Sequence, residues 1–218
     1  MKFINSRSRI VLRSLLGLTA AALMAGCTTP VMVGTVLFGG TAWVMSDRRT
    51  VGVIVEDEGI EIRARNRAID VIGNQGHVVV NSYNRQILLT GEVFNESDRR
   101  AVEQAIRKVD NVAGVTNELV ITWPSPMNER ANDLGLQAKV KATLINDGGV
   151  PSTAFKIVVE RGVVYLMARV SAAEADRATE LTRNIAGVKR VVRLIEVVPG
   201  DMAVIAPAAD AQAVGGPR

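Results

Sequence analysis

Cysteine and histidine, whose side chains carry the most versatile chemistry near neutral pH, each occur once in this chain, as Cys27 and His77. A single cysteine cannot form an internal disulfide, so the thiol of Cys27 is either free or consumed by a modification. His77 begins a predicted strand with no nucleophile motif beside it, which favours a hydrogen-bonded polar side chain over a catalytic base. No Cys, His and acidic residues have metal-ligand spacing, and no glycine-rich segment forms a phosphate loop. We therefore expect no catalytic residue, no metal site and no cofactor.

The first 26 residues have the pattern of an export signal. Four basic residues and no acidic ones precede the apolar run Leu15–Met24, which is too short to span a bilayer. The residues that follow, Leu23-Met24-Ala25-Gly26-Cys27, resemble the bacterial lipobox. That resemblance implies transfer of diacylglycerol to Cys27, cleavage after Gly26, and fatty acylation, for example by palmitate, of the new amino terminus. An ordinary signal with a chance cysteine is the alternative.

The residue after the cysteine bears on location. Thr28 stands there rather than aspartate. By resemblance to enterobacterial sorting, an aspartate at this position favours retention in the inner membrane. Thr28 therefore points to the outer membrane.

The charge of the chain changes when the signal is removed. The full sequence has 26 basic and 22 acidic residues, and the signal contains four of the basic ones, which leaves a neutral mature protein. The basic precursor therefore gives no support to a nucleic-acid partner. Aromatic residues make up only 4% of the chain, which disfavours stacking platforms for bases or sugars.

An apolar segment, Val31–Met45, follows the cysteine and ends at charged residues. As a helix it would reach only about 22 Å, short of a hydrocarbon core of roughly 30 Å. We interpret residues 27–46 as the lipidated cysteine and a linker that lies along the membrane. A second transmembrane segment is the alternative.

The remainder of the mature chain contains one unit twice. Apolar residues at helical spacing recur over 57–72 and 133–148, an offset of 76 positions, and glycines follow both segments. Each helix precedes two β-branched runs joined by a short polar turn, which predicts a hairpin. A second helix and a last strand then close each unit.

This order predicts an α+β fold with two tandem αββαβ domains. In each, two helices pack on one face of a three-stranded sheet and leave the other face more open, where the copies could pack on each other. The predicted boundaries are 1–26 for the signal, 27–46 for the anchor and linker, 47–123 for the first domain, 124–127 for a proline-containing linker, 128–198 for the second domain, and 199–218 for a disordered tail.

The unit resembles the BON domain. The resemblance rests on the αββαβ order, on the strand endings Leu88–Gly91 and Tyr165–Ala168, and on the turn Ile185–Val188 followed by alternating valines. Two such units behind a lipobox resemble the dual-BON outer-membrane lipoproteins of Gram-negative bacteria. The resemblance implies a non-enzymatic protein that faces the periplasm, binds anionic phospholipid and supports envelope integrity, often near division sites and with envelope or division proteins as partners.

Within that family the first helix of the second unit contacts lipid, and the corresponding candidates here are Leu134, Gly135, Ala138, Lys139 and Lys141. Gly135 replaces a large aromatic residue, so Leu134 is expected to take over part of its role. Residues 47–123 carry a net charge of −2 and residues 124–198 a net charge of +3, so only the second unit is attracted to an anionic surface.

Three alternatives remain open from the sequence. The two lysines could simply be the solvated side of a core helix. The protein could instead be a scaffold that recruits another envelope protein through its sheets or the Trp123-Pro124 linker. A periplasmic hydrolase is a remote possibility.

Overall fold

The computed structural model describes residues 47–73 and 75–199. The predictions for the signal, for Cys27, for the apolar segment and for the tail beyond residue 199 fall outside these residues. Within the described part of the chain, none of the helices combines the length and apolar character needed to cross a membrane.

The described residues form two successive αββαβ repeats. The elements are α1 (Val51–Ile72), β1 (His77–Tyr83), β2 (Gln86–Val93), α2 (Glu96–Ile106), β3 (Gly114–Asn117), β4 (Val120–Ile121), α3 (Met127–Asp147), a 3₁₀ turn (Ser152–Ala154), β5 (Phe155–Glu160), β6 (Val163–Val170), α4 (Ala172–Arg183) and β7 (Arg190–Val197). The predicted α+β fold is confirmed. In each sheet the second strand is central, antiparallel to the strand before it and parallel to the closing strand.

The first sheet differs from the predicted three strands because its closing strand is split. β3 and β4 both pair with β2, with Glu118 and Leu119 between them. The side-chain oxygen of Asn117 accepts a hydrogen bond from the Leu119 amide at 3.1 Å, and Leu119 is buried in the core. The Glu118 amide still donates to the Leu89 carbonyl at 2.9 Å, so the strand is interrupted at Leu119, whose amide bonds to Asn117 instead of β2.

The first helix of each repeat begins earlier than predicted, at Val51 and Met127 rather than at 57 and 133. The buried stripes of these helices start only at Asp57 and Leu136, so their first turns carry no core-facing apolar signal. Consequently Met127, assigned from sequence to the linker, is helical. The predicted helix ends are confirmed, since Gly73 and Gly148 follow the helices with positive φ.

An aspartate of the first helix holds the hairpin turn in each repeat. Asp57 accepts hydrogen bonds from the amides of Asn84 and Arg85 at 2.7 and 2.8 Å. Asp133, 76 positions later, accepts from the amides of Arg161 and Gly162 at 2.7 and 2.9 Å. All four turn residues have positive φ. The carboxylates therefore stabilise a backbone conformation that is costly for Asn84, Arg85 and Arg161, the three turn residues that are not glycine.

Each repeat has its own hydrophobic core. In the first, Ile60 and Ala64 of α1 pack with Leu89, Val102 and Ile106. The second core combines the following buried residues of α3, the sheet and α4: Leu136, Val140, Leu144, Val150, Ala154, Phe155, Ile157, Val159, Val164, Leu166, Ala168, Val170, Ala175 and Ala178. The helices thus cover one face of each sheet, as the sequence predicts.

The opposite faces of the two sheets meet in a third cluster. Tyr83 and Leu88 of the first sheet contact Val158, Tyr165 and Met167 of the second. This is the packing of the two copies that the sequence left open. The open faces are therefore used to join the repeats.

Polar contacts lock this junction around Tyr83. Its hydroxyl donates to the carbonyl of Ala154 at 2.8 Å and accepts from the amide of Arg169 at 3.1 Å. The guanidinium of Arg49 lies 3.8 Å from the centre of the ring. Arg48, next to it, forms a bidentate pair with Glu174 at 2.7 and 3.0 Å. The start of the described chain is thus fixed to both repeats.

Candidate functional site

Helix α3 presents a buried face and an exposed apolar face. Leu136, Val140 and Leu144 point into the core of the second repeat. Met127, Leu134 and Ile145 are 77%, 68% and 54% exposed. At 3.6 residues per turn, positions 127, 134, 138 and 145 lie within about 40° of one another around the helix. We call Met127, Leu134, Ala138 and Ile145 the apolar ridge.

Gly135 and Lys139 lie on one side of the ridge, and Lys141 lies on the other. A Cβ built at Gly135 has no atom within 4 Å, so a side chain there would project freely from the helix. Lys139 is exposed but lies roughly 140° from Leu134, away from the ridge. Lys141 lies close to the ridge, but its ammonium donates to the carbonyl of Ser152, and burial lowers the pKa of Lys141. The ridge therefore contains Leu134 and Ala138, with Lys141 held beside it.

Lys139 faces a second feature, a basic hollow at one end of the second repeat. Three basic residues, Lys139, Arg161 and Lys189, line the hollow together with two acidic ones, Glu129 and Asp133, and Asp133 is bonded to the backbone of the hairpin turn. The ammonium of Lys189 donates to the carbonyl of Arg161 at 3.0 Å. The predicted lipid-binding residues thus fall into two neighbouring groups, one apolar and one basic.

Sequence reasoning missed a similar stripe on α1. Val51, Val55, Ile62 and Ile69 are all at least 54% exposed, and their spacing of four, seven and seven residues places them on one face. Helix α1 is the more acidic of the two, with five acidic and three basic residues against three of each in α3. The basic residues of α1, Arg63, Arg65 and Arg67, are all exposed.

His77 lies beside Glu92, with its Nδ1 3.3 Å from a carboxylate oxygen of Glu92. It lines a cavity between the repeats, and its Nδ1 is buried without a hydrogen-bond partner among the described residues. Burial and the charge of Arg130 lower the pKa of His77. Glu160 lies beside it, and burial together with the charges of Glu92 and Asp133 raises the pKa of Glu160 to about 7.

Glu92 is the third ionisable group of this cluster and is fully buried. One carboxylate oxygen, Oε1, accepts hydrogen bonds from Ser125 and from Arg161. Burial acts to raise the pKa of Glu92, but the hydrogen bonds from Ser125 and Arg161 and the nearby His77 act to lower it, and the pKa lies below its usual value. The site therefore holds a buried carboxylate that is stabilised by a hydroxyl and a guanidinium.

Comparison with known proteins identifies both repeats. The family model described as BON domain matches residues 63–122 and 132–199. The Outer membrane lipoprotein DolP of Haemophilus influenzae is 31% identical over 182 residues, which cover 82% of this chain and 92% of that protein. The 21 kDa hemolysin of Actinobacillus pleuropneumoniae is 29% identical over 154 residues, covering 70% of this chain and 79% of the relative.

Among solved structures, the C-terminal domain of CdsD, a structural protein of the type III secretion system of Chlamydia trachomatis, aligns with a TM-score of 0.28 at 13% identity. The alignment covers 62% of this chain and 96% of that domain. Similarity at this level supports no argument about function.

Proposed function

The chain belongs to the BON-domain family and carries two copies of the domain, and we propose that it is a lipoprotein of the outer membrane, anchored through Cys27 and facing the periplasm, whose second repeat binds anionic phospholipid. Its relative in Haemophilus influenzae is named an outer membrane lipoprotein and aligns with 82% of this chain. The predicted export signal and the lipobox-like run support the same location. In this proposal the protein supports envelope integrity by contact with lipid and has no catalytic role.

The apolar ridge of α3 is the observation that carries the lipid-binding proposal. Three large apolar side chains are exposed on one face of a helix that packs its opposite face into a core. Full burial of such a side chain contributes about 1.5–3 kcal/mol, so partial immersion of three contributes a few kcal/mol. The net charge of +3 on residues 124–198 adds attraction to an anionic surface, about 1 kcal/mol for each basic residue held near it.

The placement of the basic residues refines this proposal. Lys139 and Lys189 line the hollow beside the ridge rather than the ridge itself. When Leu134 enters the acyl region, a lipid headgroup can contact the hollow from the side. The ridge then determines how deeply the helix enters the bilayer, and the hollow determines the preference for anionic lipid headgroups.

The test uses residues 47–218, which contain both hydrophobic cores and omit the acylated cysteine and the apolar segment. We expect this protein to co-sediment with vesicles that contain phosphatidylglycerol and to bind pure phosphatidylcholine at least about tenfold more weakly, a difference of roughly 1.4 kcal/mol. Leu134→Glu should abolish binding to the anionic vesicles. Equal binding to both vesicle types, or full binding by Leu134→Glu, would contradict the proposal.

Ile62→Glu is the matched control. Ile62 is 55% exposed on α1, so the substitution adds the same charge to an exposed apolar position of the first repeat. Binding that survives Ile62→Glu but not Leu134→Glu assigns the contact to the second repeat. Loss in both variants would instead implicate both helices.

The anchor is tested in cells. A Cys27→Ala variant should leave the membrane fraction and lose its support of the envelope, measured as increased sensitivity to detergent. A variant that stays in the outer membrane would exclude acylation at Cys27 as the anchor.

A second candidate, a protein-interaction scaffold, is favoured by an exposed aromatic pair at the end of the first repeat. Trp123 is 78% exposed and contacts Phe94 edge-on, with ring centres 4.9 Å apart. Val120 and Ile121 of the short edge strand β4 are exposed beside this pair in sequence. Crosslinking in cells separates the candidates: a stoichiometric protein partner that survives Lys139→Glu and Lys141→Glu favours the scaffold.

A further inference from the structure

A cavity of about 260 Å³ lies at the junction of the two repeats. Val79 of β1 and Ile157 of β5 form part of its apolar wall, and His77, Asn81 and Glu160 form part of its polar wall. Leu134 of the apolar ridge also lines the cavity, but His77, Asn81 and Glu160 take no part in the lipid contact proposed above. The polar wall therefore calls for a separate explanation.

Three potential metal ligands converge at this cavity. His77, Glu92 and Glu160 each offer one nitrogen or oxygen atom, and the three atoms lie within 4.8 Å of one another. His77 Nδ1 and Glu92 Oε2 are 3.3 Å apart. That separation matches the edge of a tetrahedron with metal–ligand bonds of about 2.0–2.1 Å, which is roughly 3.3–3.4 Å.

The ligand atoms lack other partners. Both His77 Nδ1 and Glu92 Oε2 are buried and without a hydrogen bond among the residues that the structure describes. Glu92 is completely buried, and its other oxygen is held by Ser125 and Arg161. A fully buried carboxylate oxygen that accepts no hydrogen bond carries an energetic penalty, because burial removes its water. A bound cation removes this penalty.

The backbone fixes the two ligands of the first repeat. His77 and Glu92 are cross-strand partners on β1 and β2. A Cβ at Gly91 would overlap the carbonyl oxygen of His77, and a Cβ at Gly76 would lie 2.7 Å from the carbonyl oxygen of Glu92. Glycine at both positions lets the strands approach closely beside the pair. The Thr90-Gly91 strand ending noted in the sequence thus serves the geometry of this cluster.

We propose that His77, Glu92 and Glu160 form a site for a divalent first-row transition metal, with Zn²⁺ as the best match, that joins the two repeats. One imidazole nitrogen and two carboxylates are the donors typical of such ions, whereas Ca²⁺ and Mg²⁺ prefer ligands that are all oxygen. Glu160 belongs to the second repeat, so the ion would bridge β1 and β2 of the first repeat to β5 of the second. Water in the adjoining cavity completes the coordination.

Two arginines adjoin the site without blocking it. Arg161 contacts Glu92 through Oε1, which leaves Oε2 for the ion. Arg130 lines the cavity, and its buried Nε has no hydrogen-bond partner within the described ranges.

The experiment titrates Zn²⁺ into the mature chain, residues 27–218, by calorimetry in an uncharged detergent. Cys27→Ser removes the one thiol of the chain, and the affinity tag is cleaved off, so that His77 is the only imidazole present. We expect one ion per chain and a higher midpoint of thermal unfolding with Zn²⁺ than with Mg²⁺. His77→Ala should lower the affinity at least about a hundredfold and Glu160→Gln at least about tenfold.

Glu118→Gln is the matched control, because Glu118 also lies at the junction and pairs with Arg190 at 2.8 Å, but belongs to no candidate metal cluster. It should bind Zn²⁺ like the parent chain. If His77→Ala proves misfolded by circular dichroism, the decisive readout is the ¹⁵N chemical shift of His77 in the parent chain, which should move on addition of Zn²⁺. Absence of saturable binding, or unchanged affinity in Glu160→Gln, overturns the proposal.

Discussion

Replacing Tyr83 by phenylalanine tests whether the two repeats form one cooperative body. Tyr83 is 3% exposed, and its hydroxyl bridges the first repeat to the carbonyl of Ala154 and the amide of Arg169 in the second. Phenylalanine keeps the ring, and with it the contact to Arg49 and the apolar packing. The substitution therefore isolates two hydrogen bonds across the junction.

The expected magnitude follows from those two bonds. Each contributes about 0.5–1.5 kcal/mol, and the carbonyl of the fully buried Ala154 would lose this partner. We expect Tyr83→Phe to lower the free energy of unfolding by about 2 kcal/mol. With a urea dependence of about 2 kcal/mol per molar, the midpoint should fall by about 1 M.

The assay is urea unfolding of residues 47–218, followed by circular dichroism and tryptophan fluorescence. Tyr165→Phe is the control, since its hydroxyl contacts Glu118 at 3.4 Å and that carboxylate is also paired with Arg190. The control should lose less than about 0.5 kcal/mol. Equal midpoints for Tyr83→Phe and the parent, or two separate transitions in the parent, would refute the reasoning that the junction is a cooperative part of the fold.

The remaining predictions concern the ion pair between Arg48 and Glu174 and two glycines. Bonds from Arg48 lower the pKa of Glu174 to about 2 from an ordinary value of 4.5, so the pair stabilises the fold above about pH 4.5 and that stability is lost as the pH falls towards 2. Glu174→Gln should therefore cost about 1–2 kcal/mol at neutral pH in urea titrations, with the difference vanishing near pH 2; a difference independent of pH would contradict the assignment. Gly91→Ala should cost more than about 3 kcal/mol, because φ is +107° and the new Cβ would overlap the His77 carbonyl. Gly135→Ala, in open space within α3, should instead stabilise by about 0.5–1 kcal/mol in thermal unfolding, and the reverse order of the two glycine variants would disprove this account of the backbone.

The hairpins were predictable because their signals are local. The two hairpins predicted from the sequence are formed by β1 with β2 and by β5 with β6. Runs of β-branched residues end at short polar turns, and no distant contact is needed to define them. The starts of α2 and α4 are equally local, since the side chains of Asn95 and Ser171 each accept a hydrogen bond from an amide three residues later.

Features that depend on tertiary contacts could not be predicted. The split of the closing strand coincides with a side-chain bond of Asn117 and the burial of Leu119, which no periodicity reveals. His77, Glu92 and Glu160 come together from three strands of two repeats, so their sequence spacing resembles no metal motif. The paired turn-holding aspartates, Asp57 and Asp133, were visible in principle, because they share the 76-residue offset of the repeat.

For the predicted lipid-binding residues as well, the sequence predicts helical spacing but not tertiary contacts. Helical spacing places Leu134 and Ala138 together, and the structure agrees. Only the fold shows that Lys141 donates to the Ser152 carbonyl and that Lys139 instead lines the hollow with Lys189. A lysine near an apolar stripe has many rotamers, and its final partner depends on loops that the helix pattern does not describe.

The bidentate pair between Arg48 and Glu174 has a consequence for how far the body can travel from its anchor. With acylation at Cys27 as proposed, 20 residues lie between the anchor and Arg48, the point at which the chain is fixed to the second repeat. A chain of that length reaches at most about 75 Å, so the lipid surface is presented to the body at an effective concentration on the order of millimolar. A ridge that binds lipid with only millimolar affinity in solution would then occupy the bilayer for much of the time and still detach rapidly.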